Sequence, residues 1–102
     1  MNINLWDETI KKLDAHGKSW KDVKSVCLED VCLSKENFRD IAMAVEYNNG
    51  YGTARVRKDL KIVGDSFWLE RDEYDGSEWW AYREKPEIPL KFRYITDLLT
   101  KE

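Results

Sequence analysis

The chain is short of the residues that carry most enzyme chemistry. Among its 102 residues there is one histidine, His16, and there are two cysteines, Cys27 and Cys32. Nucleophilic catalysis asks for a nucleophile, a base and usually a third group that orients the base, and a lone histidine leaves little to build this from. His16 falls where a helix is predicted to end, a position at which a cation is favoured by the helix dipole. The cysteines have no companions for a zinc site, which takes about four such ligands, and their spacing is not that of a redox pair. They are expected as reduced, buried strand thiols. Phosphate-binding glycine loops are missing too, since Gly50-Tyr51-Gly52 has neither the lysine nor the preceding strand. No apolar run approaches the roughly 18–20 residues that span a bilayer. Met1-Asn2-Ile3-Asn4 carries neither the basic flank nor the apolar run of a signal peptide. The expectation is a cytoplasmic protein with no metal, no cofactor, no membrane contact and no enzymatic activity.

What is present describes a globular chain. Hydrophobic residues make up 42% and aromatic residues 13%, enough large side chains for burial to offset chain entropy. The net charge of -3 gives no reason for general nucleic-acid affinity. The length suits one domain, residues 1–102.

Period and capping signals predict the elements. Trp6, Ile10 and Leu13 recur at helical spacing over 5–16, with Asn4 as N-cap and Gly17 as the left-handed stop. The connector 18–22 should fold Trp20 back onto that helix. Alternation over 23–28 and 31–33 predicts a hairpin turning at Glu29-Asp30, with Cys27 across from Cys32. A second helix is predicted over 34–47, capped by Ser34, with Phe38, Ile41, Ala42 and Val45 as its apolar stripe. Asn48-Asn49-Gly50 ends it, and Tyr51 and Gly52 continue as loop. Strands follow at 60–63, 66–72 and 77–84, and Asp75-Gly76 is a strong hairpin signal between the last two. A three-residue loop places Trp68 opposite Tyr82 and Leu69 opposite Ala81; a two-residue loop places Leu69 opposite Tyr82. Pro86 and Pro89 end the ladder. Residues 90–102 are predicted to begin extended at Phe92 and Tyr94 and to close as a short helix with Ile95, Leu98 and Leu99. The fold class is α+β: two amphipathic helices on a small antiparallel sheet, a β-meander with a central Asp-Gly hairpin.

Charge placement points to surfaces. Residues 65–78 hold six acidic residues and one basic; residues 53–63 hold four basic and one acidic. Tryptophan and tyrosine are enriched at binding hot spots. The partner-binding set is therefore Trp68, Trp79, Trp80 and Tyr82 as anchors, with Glu70, Asp72, Glu73, Asp75 and Glu78 as electrostatic guides for a protein partner. The same exposed aromatic strands also offer a route to a symmetric homodimer. The alternative is nucleic-acid binding through Arg55, Arg57, Lys58, Lys61, Lys91 and Arg93, with phosphate contacts and aromatic stacking. A distant third reading pairs hairpin carboxylates for glycosidase-like hydrolysis, with Trp79 or Trp80 stacked on a sugar. A solvated turn is a poor place for such a pair, because catalytic carboxylates need shielded surroundings.

The run Leu60-Lys61-Ile62-Val63-Gly64-Asp65, with Trp68-Leu69-Glu70-Arg71 and Glu73-Tyr74-Asp75-Gly76-Ser77-Glu78-Trp79-Trp80, resembles a stretch in small phage- and prophage-encoded proteins of Gram-positive bacteria. The likeness covers the C-terminal half of the chain, with weaker echoes at Gly17-Lys18 and Ser34–Phe38. It brings no activity and no site residue with it. It implies a context: a small accessory protein that binds a host or phage macromolecule, for instance to counter a bacterial defence system.

Overall fold

The structure, a computed structural model, describes residues 2–50 and 52–100. Strand β1 (Asn2–Asn4) leads into helix α1 (Leu5–Ala15). A single 3-10 turn, Trp20–Asp22, precedes β2 (Val23–Cys27) and β3 (Cys32–Leu33). Helix α2 (Lys35–Ala44) runs into β4 (Glu46–Asn48), and after a long loop come β5 (Lys61–Gly64), β6 (Phe67–Tyr74) and β7 (Ser77–Glu84). β1 pairs with β4, and the remaining strands form one sheet in the order β3-β2-β5-β6-β7. Every pairing is antiparallel. The α+β class and the central hairpin expected from the sequence are both seen.

Asn4 joins the two helices. Its Oδ1 accepts the Asp7 N–H at 3.1 Å as the N-cap of α1, and its Nδ2 donates to the Met43 carbonyl at the end of α2. One side chain thus satisfies an unpaired backbone group at each of two helix ends. The expected helix to residue 47 stops at Ala44, and Glu46–Asn48 is a strand instead. The N-terminal segment causes the difference: Leu5 N–H bonds the Val45 carbonyl, and Ile3 pairs with Tyr47. Both short strands are invisible to a search for amphipathic period. Trp20 does return to α1, its ring 4.9 Å from that of Trp6 and stacked near Phe38.

The β6–β7 turn is two residues long. Tyr74 pairs with Ser77 and Leu69 with Tyr82. Asp75 and Gly76 both take positive φ, 50° and 84°, the backbone of a type I′ turn that matches strand twist. Directly opposed residues share a face of the sheet, so this register assigns every side chain. The row Leu33, Val26, Ile62, Leu69 and Tyr82 faces inward, toward the helices; Cys32, Cys27, Lys61, Glu70 and Ala81 form the adjacent outward row. The core lies between the inner face and the helices, with Leu13, Phe38, Ala42, Ile62, Leu69 and Trp80 among its members.

Gly64 ends β5 because of a close approach. A Cβ there would overlap the Phe67 ring, which is buried, stacked on Tyr82 and covered by the Lys18 ammonium. With the ring unable to move aside, Gly64→Ala is expected to cost about 1–3 kcal/mol by overpacking. Denaturant unfolding checks this, and a loss below about 0.5 kcal/mol, the ordinary range of a surface change, would show that Phe67 relocates freely.

After Lys85, whose N–H bonds the Ser66 carbonyl, the chain to Thr100 forms neither helix nor strand. The short helix expected around Ile95, Leu98 and Leu99 is absent among the described residues, because nothing there packs against its apolar side. So short a segment does not hold helical structure in water by propensity alone.

Candidate functional site

The hairpin residues singled out by the sequence divide between two faces. Trp68, Glu70, Asp72 and Trp79 stand on the outer face, which neither helix covers. Tyr74, not singled out, joins them at 78% exposure, with Trp79 at 37%. Trp68 Nε1 donates to Glu70 Oε1 at 2.6 Å, which fixes the indole against the sheet. Arg83, on the same face, lies 3.8 Å from Glu70 and 3.9 Å from Asp72. Asp75 projects from the turn, and Glu73 is exposed at the tip, where it pairs with Lys58. Tyr74 and Arg83 could be placed beside Trp68 and Trp79 only once both the register and the core-facing side of the hairpin were known.

Glu78, Trp80 and Tyr82 are corrected by the same register. Tyr82 points inward and stacks on His16 at 3.9 Å and on Phe67. Trp80 is 1% exposed, its Nε1 donating to Thr9 Oγ1 at 2.9 Å. Glu78 is buried in an ionic cluster. The Arg71 side chain, 3% exposed, donates through Nη2 to Glu78 Oε1 at 2.9 Å and to the Tyr47 hydroxyl at 2.8 Å. Its Nη1 lies 3.3 Å from Glu8, and its guanidinium sits 4.8 Å over the Trp80 ring. Tyr47 donates to Glu8 at 2.6 Å. Burial, and then this bond to Glu8, push the phenol's pKa above its usual range, so it stays a donor. Burial works against the Arg71 charge, but Glu8, Tyr47 and Glu78 outweigh it and hold its pKa above the ordinary value.

The Glu78 carboxylate also accepts the backbone N–H groups of Arg55, at 2.6 Å, and Val56, at 3.1 Å. These bonds clamp the 53–56 loop to β7 and leave the carboxylate no free oxygen for acid–base work. The remaining hairpin carboxylates are at least partly solvated, so the hydrolase reading finds no shielded pair among the described residues.

The basic set is not assembled into one patch. Arg57 is bidentate to Asp59 at 2.8 and 2.9 Å, Lys58 is paired with Glu73, and Lys61 stands beside Glu70 on the outer face. Lys91 and Arg93 belong to the tail beyond the sheet. Asp59 also accepts the Glu29 N–H at 3.0 Å, joining the loop to the β2–β3 turn. Arg57 and this N–H hold its carboxyl at about 2 rather than 3.8. With the folded value depressed, the contribution of this contact is complete above 3.8 and is lost only as pH falls through about 2.

Cys27 and Cys32 do face each other, Sγ to Sγ 3.3 Å, but on the outer face, where Cys27 is half-buried and Cys32 exposed. The expected burial fails because the inward positions of this hairpin are taken by Val26 and Leu33. The hydrogen bond with Cys32, helped by burial, raises the Cys27 thiol. Among the described residues no group of three or more histidine, cysteine or acidic side chains is placed to hold a metal ion, and no helix is long and apolar enough to cross a membrane.

No protein-family model, curated protein or solved structure matches this chain. The functional reading rests on its own surfaces.

Proposed function

We propose that this is a non-enzymatic binding protein that engages a protein partner through the outer face of its sheet and the acidic tip of the β6–β7 hairpin. The observation that carries the reading is the sheet's one-sidedness: Trp68, Tyr74 and Trp79 lie together on the face that neither helix covers. Rigid aromatics on strands are suited to anchoring a partner. Their charged neighbours are graded. Arg83 lies between Glu70 and Asp72 and Lys61 stands beside Glu70 in the middle of the face, and Asp75 carries negative charge at the tip. Such a gradient steers and orients a basic partner. The resemblance of residues 60–80 to phage and prophage proteins supplies the setting we propose: a phage-borne accessory protein acting in the bacterial cytoplasm on a host or phage macromolecule, with counteraction of a defence system as one such role.

The test is affinity capture from a Gram-positive host lysate with the native chain and with Trp79→Ala combined with Asp72→Lys. The native chain should retain a basic protein partner, and the variant should lose it by at least about tenfold, since hot-spot truncations cost about 2 kcal/mol or more, with its melting curve little changed. Equal capture by both chains overturns the reading. Charge reversal at Glu78 is unsuitable as a probe, because it would place a lysine beside the buried Arg71.

A further inference from the structure

The two thiols of the chain play no part in the partner surface, yet the fold brings them together. Cys27 on β2 and Cys32 on β3 stand directly opposite each other on the outer face, Sγ to Sγ 3.3 Å. Their place in the ladder sets how the backbone holds them. Leu28 N–H bonds the Val31 carbonyl at the next pair toward the turn, and hydrogen-bonded and non-hydrogen-bonded pairs alternate along antiparallel strands. Cys27–Cys32 is therefore a non-hydrogen-bonded pair, the kind whose side chains come closest, with Cα atoms about 4.5 Å apart. Disulfides span Cα separations of about 4.4–6.8 Å, so this pair can be bridged with little movement of the backbone.

We propose that Cys27 and Cys32 form a thiol–disulfide exchange site, which a low-molecular-weight disulfide of the glutathione class oxidises to a reversible cross-strand disulfide that fastens β3 to the sheet. The surroundings assign the roles. Cys32 is exposed, within reach of a small disulfide, and Cys27 is half-buried. The bond with Cys32, and then burial, keep Cys27 in its thiol form. The Cys32 thiolate attacks one sulfur of the small disulfide; a mixed disulfide forms on Cys32 and one small thiolate leaves. Cys27 then gives its proton to solvent, and its sulfur attacks Cys32 Sγ and expels the second small thiolate. The two protein thiols have lost two protons and two electrons, and the small disulfide has been reduced to two thiols. Lys61, opposite Cys27 on β5, brings a positive charge to the pair, the setting in which thiols react.

The bridge would act on the weakest edge of the sheet. β3 has two residues and is paired on one side only, and its turn is held from outside by the bond from Glu29 N–H to Asp59. A covalent link at Cys27–Cys32 ties that edge to β2. The short Cα separation and the exposure of Cys32 place the disulfide among the labile ones that small thiols reopen. The chemistry uses none of Trp68, Tyr74 and Trp79, so it stands or falls apart from the proposed partner surface.

The test is the intact mass of the full chain, reduced, incubated with excess oxidised glutathione and quenched with iodoacetamide. The native chain should lose two hydrogens, stay monomeric, carry neither glutathione nor an alkyl group, and regain both thiols in excess reduced glutathione. Oxidation should raise its melting temperature by about 5–10 °C, as closing a short loop in a domain of this size does, and should slow amide exchange at Leu28 and Leu33. Cys27→Ser should stop at a glutathione adduct on Cys32, with no such rise. A native chain that accumulates the adduct while Cys27 stays open to alkylation overturns the proposal, and so does one that links into covalent dimers. A disulfide that reduced glutathione cannot reopen, or that forms without protecting the edge, overturns it as well.

Discussion

Arg71→Ala is expected to lower the stability of this protein by about 3–5 kcal/mol, the range for breaking a buried ion pair from one side. Among the described residues the guanidinium is the only cation in a cluster that contains Glu8 and Glu78, and it also donates to Tyr47. Without it two carboxylates face each other in a poorly hydrated space, and the Glu78 clamp on the 53–56 loop loses its counter-charge. Denaturant unfolding of the variant against the native chain measures the loss. A further control is Arg71→Met made together with Glu8→Gln and Glu78→Gln. If the cost is mainly stranded charge, the triple variant will be more stable than Arg71→Ala. A triple variant that is less stable would show that hydrogen bonding to the loop contributes more than charge compensation does.

Trp80→Ala is expected to cost a similar amount, about 3–5 kcal/mol, as large-to-small changes of buried tryptophan do. That corresponds to a fall in melting temperature on the order of 12 °C or more for a domain of this size. The indole is closed off from solvent, bonded to Thr9 and covered by the Arg71 guanidinium. Its removal opens a cavity and also takes away the surface against which Arg71 lies. The adjacent Trp79 makes the comparison sharp. It stands on the other face, and Trp79→Ala is expected to stay within about 1 kcal/mol of the native chain, nearer the surface range than the core range. Melting curves of the two variants, recorded side by side, test the register directly. Equal losses would mean that the two indoles are not divided between core and surface as the pairing of Leu69 with Tyr82 requires.

The candidate surface was only partly legible because one core position is occupied by a charge. Phe67, Leu69 and Arg71 alternate inward on β6, yet the third is a charged residue, so the apolar pattern breaks at a position where the inward row continues. Opposite it, Glu78 and Trp80 form the same inward row from β7. Nothing local distinguishes Glu78, a buried carboxylate, from Asp72 or Asp75, which are solvated. Its burial follows from Glu8, Tyr47 and the 53–56 loop arriving from elsewhere in the chain. The tail differs for the converse reason. Its apolar spacing suits a helix that packs, but among the described residues its large apolar side chains stay exposed.

By itself the sequence determined the elements that rest on local physics: α1 with its Asn4 cap and Gly17 stop, the start of α2 at Ser34, the facing of Cys27 and Cys32, and the Asp75-Gly76 turn. Each depends on backbone chemistry or period within a few residues. Only the tertiary structure decided the end of α2, the pairing of β1 with β4, and the phase of the β6–β7 register. A period of two says that neighbours point to opposite faces, but not which face is the core. That choice was made by what packs against the hairpin, Thr9 and Glu8 from α1 and Tyr47 from β4, and it sent Trp80 and Glu78 inside and left Trp79 and Asp72 outside.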